Sequence, residues 1–129
     1  QKLWLAATLD TEGWIGCAKM RPSGNRNTAY GYGIVVGMTQ IKYLHAIKRI
    51  TRAGSVLPHR QHGNRKMAWV WSVRKISDIQ RLLNDVLPFL IVKKRQARLL
   101  LNLPSQYTRC PHRRERIWQR LRTLNRKGR

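Results

Sequence analysis

The chain has 129 residues, 27 of them Lys or Arg against five Asp or Glu, for a formal charge of +22. That lies far beyond the magnitude of about 2–8 that keeps a small domain soluble, so a polyanion is the expected partner. A hydrophobic fraction of 42% with five Trp excludes a disordered basic tail, and the length suits one domain with its own core.

Residues 2–10 fit a short helix that is apolar nearly all round, through Leu3, Trp4, Leu5, Ala6, Ala7 and Leu9, and Gly13 ends it. Two of the five acids, Asp10 and Glu12, stand at its end. Carboxylates at a helix C-terminus are disfavoured by the macrodipole, by about 0.3–1 kcal/mol each, which argues for a compensating cation there. In so basic a chain, this pair is where a divalent metal would be held.

Trp14–Arg21 reads as a strand, then a turn at Pro22–Asn25, then a second strand from about Thr28 to Met38. In the second strand Tyr30, Tyr32, Ile34, Val36 and Met38 share a core face, and Ala29, Gly31, Gly33, Val35 and Gly37 share a face nearly without side chains. Such a strip marks either the close approach of a backbone or ligand, or a bulge. Thr39 can cap a helix from Gln40 to Arg52, closed by Gly54.

A second hairpin follows, with arms Ser55–Arg60 and Lys66–Arg74 joined through Gln61–Asn64. Trp69 and Trp71 alternate with small residues, which favours burial against helices over a stacking platform for unpaired bases. Ser77 with Gln80 resembles a capping box opening a helix to Leu87, which Pro88 interrupts. A basic helix is expected over Phe89–Leu103, and after a loop at Pro104–Pro111 a last one over His112–Asn125, with Ile117, Leu121 and Leu124 in one stripe. The order is that of a single α+β domain, with a core at about 3–103 and a basic helical extension at about 104–129.

Cys17 and Cys110 form no Cys-x-x-Cys pair, so reduced thiols in an intracellular protein are expected, with no compartment or host indicated. No apolar stretch approaches the roughly 20 residues that cross a bilayer, no secretory signal is visible, and no membrane partner is expected. The pairs His59/His62 and Cys110/His112 lie among Arg, a poor setting for zinc.

Leu5-Ala6-Ala7-Thr8-Leu9-Asp10-Thr11-Glu12-Gly13 resembles the signature of the LAGLIDADG homing endonucleases. The likeness extends to Thr39-Gln40 and to Leu87-Pro88-Phe89-Leu90 followed by Lys93, Lys94, Arg95, Gln96 and Ala97, and covers about Leu3 to Leu103 with one copy of the signature. It implies an αββαββα domain with a saddle-shaped antiparallel sheet. It also implies a homodimer packed through Leu3, Ala6, Ala7 and Asp10, which cuts both strands of a long, near-palindromic double-stranded DNA.

The resemblance assigns the metal to Glu12, with Asp10 and Gly13 beside it, water positioning to Gln40 and charge stabilisation to Lys93. The metal would be Mg²⁺, with Mn²⁺ substituting and Ca²⁺ binding without turnover. Ala7 and Thr8 depart from the usual Gly and apolar residue, and Glu12 replaces the commoner Asp.

A two-stranded ribbon fits the major groove, which places Gly31, Gly33, Val35, Gly37, Lys66, Ala68, Val70, Ser72 and Arg74 on the DNA face. Arg26, Arg60 and Arg65 at the hairpin tips are expected at phosphates or guanines. Lys19 and Arg21 look like further contacts, although strict alternation puts them beside Ile15 and Cys17 unless a bulge intervenes. Arg113, Arg114 and Arg116 would add sequence-independent affinity. Two rival readings stand beside the nuclease: a catalytically silent relative that binds DNA or intron RNA, as a regulator or maturase, and a basic ribonucleoprotein component.

Overall fold

The helix that opens the chain, α1 (Lys2–Glu12), runs two residues past its expected end and turns directly into β1 (Gly13–Met20). A Cβ at Gly13 would sit 2.7 Å from the Leu9 carbonyl oxygen and 2.8 Å from its Cα, so a side chain here would push helix and strand apart. The Thr8 hydroxyl donates back to the Trp4 carbonyl at 2.9 Å, as its position in a helix interior suggests. The structure is a computed structural model that describes residues 1–20, 29–59, 67–103 and 111–127.

β1 pairs antiparallel with β2 (Ala29–Met38) without interruption, from Gly13 opposite Val36 to Met20 opposite Ala29. No bulge re-aims the first strand. After α2 (Ile41–Thr51), β3 (Ser55–His59) and β4 (Ala68–Val73) form the second hairpin. β4 joins β2 to give one antiparallel sheet in the order β1-β2-β4-β3. α3 (Ile76–Val86), a 3-10 turn at Leu87–Phe89, α4 (Lys94–Leu101) and α5 (Pro111–Lys127) complete the described α+β fold.

The predicted alternation decides which sheet face is covered. Ile34 and Val36 of β2 and Trp71 and Val73 of β4 are buried against Leu44 and Ile47 of α2, Ile79 and Leu83 of α3, and Leu100 of α4. Trp69 is half-buried against the same core, so the two Trp are core residues. The indole N–H of Trp71 donates to the Ala53 carbonyl at 2.9 Å, because a buried indole must find an acceptor. Gly54, at φ 84°, lies under that ring, and a Cβ there would fall 2.5 Å from the indole nitrogen.

Several local expectations fail for tertiary reasons. Lys75, not Ser77, occupies the N-cap position of α3, with no side-chain hydrogen bond, and the Gln80 amide donates instead to the Leu100 and Leu103 carbonyls at 3.1 and 3.2 Å, closing the end of α4. Gln40, not Thr39, occupies the N-cap position of α2, with no side-chain hydrogen bond. The helix expected over Phe89–Leu103 is only α4, since Leu90–Lys93 is drawn out to meet Asp10. Leu121 of α5 is 1% exposed within the same core, so the C-terminal helix is part of the domain's packing and the core does not stop near residue 103.

Candidate active site and nucleic-acid interface

Glu12 is exposed at the last turn of α1, and among the described residues its carboxylate makes no hydrogen bond or ion pair. It lines two clefts at once. The first, about 720 Å³, also holds Lys93, Gln96, Trp118 and Arg122. The second, about 650 Å³, is lined by Gly37, Gln40, His59, Ala68 and Val70. Glu12 therefore stands between Lys93 on one side and the exposed Gln40 on the other, and residues more than 80 positions apart in sequence meet at one helix end.

Asp10 is occupied differently. Its carboxylate accepts the backbone N–H groups of Ile91 at 2.7 Å, Val92 at 3.2 Å and Lys93 at 3.0 Å, and its carbonyl accepts the Lys93 ammonium at 2.6 Å. With its two oxygens accepting three amides, Asp10 anchors the segment leading into α4. Burial lowers the Lys93 pKa, and the charges of Asp10 and Glu12 push it back up in part.

The donor set of the clefts meets part of what a divalent cation needs. Among the described residues no group of three His, Cys, Asp or Glu converges, and Glu12 is the carboxylate of the clefts that makes no hydrogen bond or ion pair. That is part of a shell for a hard cation, which takes oxygen ligands and retains several waters or phosphate oxygens. Gly13 is held in place by its pairing with Val36.

α1 turns Leu5, Ala6, Thr8 and Leu9 into the protomer's own core, and Ala6 is 0% exposed, which removes it from the expected dimer contact. The outward stripe is Leu3, Trp4, Ala7 and Thr11. It is joined by the exposed Phe89, Ile91 and Val92 of the segment that Asp10 anchors.

On the sheet, Gly31, Gly33, Val35 and Gly37 of β2 and Ala68, Val70 and Ser72 of β4 share the face opposite the core. A Cβ at Gly31 would meet nothing, and one at Gly37 would meet only ordinary contacts. Gly33 is covered by Arg74, whose guanidinium nitrogen would lie 2.7 Å from a Cβ there. The glycine strip is thus a bare surface crossed by one arginine. Arg21, Arg26, Arg60, Arg65 and Lys66 lie outside the described residues.

Lys19 does not belong to this face. With no bulge in β1 it stays on the side of Ile15 and Cys17, where its ammonium pairs with Glu115 of α5 at 2.9 Å and lies 4.6 Å from the centre of the Trp118 ring. Tyr30 donates to the same carboxylate, and these hydrogen bonds hold Glu115 below the usual carboxylate range. The cluster fastens α5 to the first hairpin.

Sequence reasoning missed Trp118, Arg122, Asn125 and Arg126, which line the Glu12 cleft from α5. Asn125 donates to the Ile15 carbonyl at 3.2 Å, and Arg122 stacks 5.2 Å from the Trp118 ring centre. No local signal separates these arginines from their neighbours; only the rotation of α5 against β1 selects them.

Comparison of the sequence with protein-family profiles and with characterised proteins gives no match. By structure the chain has the fold of the LAGLIDADG homing endonucleases. Homing endonuclease I-CvuI, solved on a DNA target with Mg, superposes with a TM-score of 0.69 at 23% identity, covering 98% of this chain and 78% of that one. The archaeal intron-encoded enzyme I-Vdi141I, complexed with DNA, gives 0.68 at 18% identity over 98% and 80% of the two chains. I-SmaMI, bound to cleaved DNA, gives 0.74 at 14% identity over 100% of this chain and 45% of that one.

Proposed function

We propose that the protein is a homodimeric, divalent-metal-dependent endonuclease that cleaves both strands of double-stranded DNA at a long, near-palindromic site. One observation carries this reading: an unpaired Glu12 carboxylate at the junction of two clefts, with Lys93 in one and Gln40 in the other. A solvated acid elsewhere on so cationic a surface would gain from an ion pair, and among the described residues this one has none.

Among the described residues of one protomer no three ligating His, Cys, Asp or Glu converge, which agrees with a site shared between two copies and completed by the substrate's phosphates. When bound at Glu12, Mg²⁺ supplies charge neutralisation at a phosphodiester oxygen. Lys93 has three ammonium donors and spends one on the Asp10 carbonyl, which leaves two for a scissile phosphate as charge builds there. Gln40 offers both a donor and an acceptor beside Glu12 to orient an attacking water. The bare glycine strip lets a duplex approach the sheet closely, with Arg74 beside it as a guanine or phosphate contact. The exposed stripe Leu3, Trp4 and Ala7, continuous with Phe89, Ile91 and Val92, fits a second copy of the chain.

Selection of cut fragments from a randomised duplex library, run in Mg²⁺, Ca²⁺ and EDTA, tests the proposal. Cutting in Mg²⁺, binding alone in Ca²⁺ and neither in EDTA are expected, with Glu12→Gln binding but not cutting and sedimentation giving a dimer. No cutting of any duplex, with RNA bound in preference, would transfer the protein to the RNA-binding reading.

A further inference from the structure

Val56 of β3 packs against the core, so the next residue, Leu57, points to the opposite face of the sheet, where it is 60% exposed. Cross-strand pairing sets out that outer face in rows. Val35 lies opposite Ser72 and Ser72 opposite Ser55, while Gly37 lies opposite Val70 and Val70 opposite Leu57. In the next row Ala68 lies opposite His59. The row of Gly37, Val70 and Leu57 thus has no side-chain donor or acceptor, and polar groups come only in the rows beside it.

A duplex presents hydrogen-bonding groups from every base pair along its major groove, and one apolar group, the C5 methyl of thymine. On a row without donors or acceptors, the polar edge of a G·C pair would lose water and gain nothing in exchange, whereas a thymine methyl would be buried favourably. Paired residues on adjacent strands have Cβ atoms about 5 Å apart, and successive bases of one strand are about 3.4 Å apart along the duplex, so Val70 and Leu57 together span one or two base steps. A Cβ at Gly37 would stand 3.9 Å from a methyl of Val70, which puts both on one face, and the missing side chain leaves room for a base edge to reach Val70.

This row borders the cleavage centre. Gly37 and Val70 line the same cleft as Glu12 and Gln40, so bases seated on Val70 are close to the phosphate that Glu12 addresses. The 27 Lys and Arg of the chain make the surroundings cationic, which suits a polyanion over the apolar face of another protein.

We infer that Val70 and Leu57 read thymine methyl groups, at one or two base pairs beside the cut in each half of the target duplex. The inference rests on the duplex binding proposed above and adds to it the chemical class of base that the middle of the sheet selects. Affinity comes from cations and phosphates, and selectivity at these positions comes from apolar contact.

The test uses the full chain in Ca²⁺, which makes binding the readout. Duplexes retained from a randomised library are sequenced, and each thymine of the selected site is replaced singly by uracil, which removes only the C5 methyl. Thymine should be selected beside the centre of the site, and uracil there should weaken binding about fourfold, as expected for one buried carbon group. The slope of log K against log salt should not change, because no phosphate contact is lost. Leu57→Ala and Val70→Ala should each shrink the uracil penalty at that position and leave other positions unaltered. If Val70→Ala fails to fold, the exposed Leu57 and the uracil series on the unaltered chain decide the matter. Selection of G·C beside the centre, uracil that costs nothing there, or a penalty that persists in full in both variants overturns the inference while duplex binding stands. Absence of any sequence-selective duplex binding overturns it together with the proposed function.

Discussion

Asp10→Ala separates an anchor from a metal ligand. The substitution removes the acceptor of three backbone N–H groups, at 2.7, 3.2 and 3.0 Å. A hydrogen bond to a charged acceptor contributes about 1.5–3 kcal/mol when shielded, but Ile91 and Val92 are exposed, and water recovers part of each bond. Taking about 1 kcal/mol per bond gives a loss of about 3 kcal/mol. In a domain of this size about 1 kcal/mol moves the melting temperature by about 3–4 °C, so a fall of about 10 °C is expected. The measurement is a thermal melt followed by circular dichroism in EDTA, where no cation contributes. Leu90–Lys93 should also gain hydrogen-exchange rate, since its amides lose their acceptor. An unchanged melt in EDTA, together with lost stabilisation by Mg²⁺ when DNA is present, would show that the carboxylate serves the cation and would refute the anchoring argument.

Gly54→Ala should cost about 1–3 kcal/mol, because the backbone is left-handed there and the new methyl meets the Trp71 indole; a denaturant titration reads it, and a neutral result would contradict the packing around that ring. Lys93 has a lowered pKa, so its ammonium is lost at a lower pH than that of a free lysine, and the cleavage rate should decline earlier on the alkaline side. Lys93→Arg should shift that alkaline limb upward, and coincident pH–rate profiles would remove Lys93 from the rate. The same shift means that the unfolded chain holds this proton more tightly, so this group's contribution to stability rises as pH passes from the folded value to the ordinary one. Burial raises the Cys17 thiol to about 12, so in a Cys110→Ser background it should resist thiol reagents at pH 8 until denaturant is added. Labelling at the rate of an exposed thiol would place Cys17 outside the core.

Periodicity carried most of the architecture. The alternation in β2 put Ile34 and Val36 inward, and that in β4 favoured the burial of Trp69 and Trp71. These signals are local and depend only on each element hiding one face. The local rules failed where a distant group outbid a neighbour. Gln80 caps α4 instead of its own helix, and Asp10 draws out the start of an expected helix.

Composition and pattern alone settled that the chain is basic, folds as α+β and has two acids at the end of its first helix, because these are properties of residues and their spacing. Only the tertiary structure assigned those acids unlike work, tying Asp10 to the Ile91–Lys93 amides and leaving Glu12 open between Lys93 and Gln40. The choice among 27 similar cations was also made there. Charge has no address in a sequence, and the packing of α5 on β1 decides which arginines face the Glu12 cleft and which face α4.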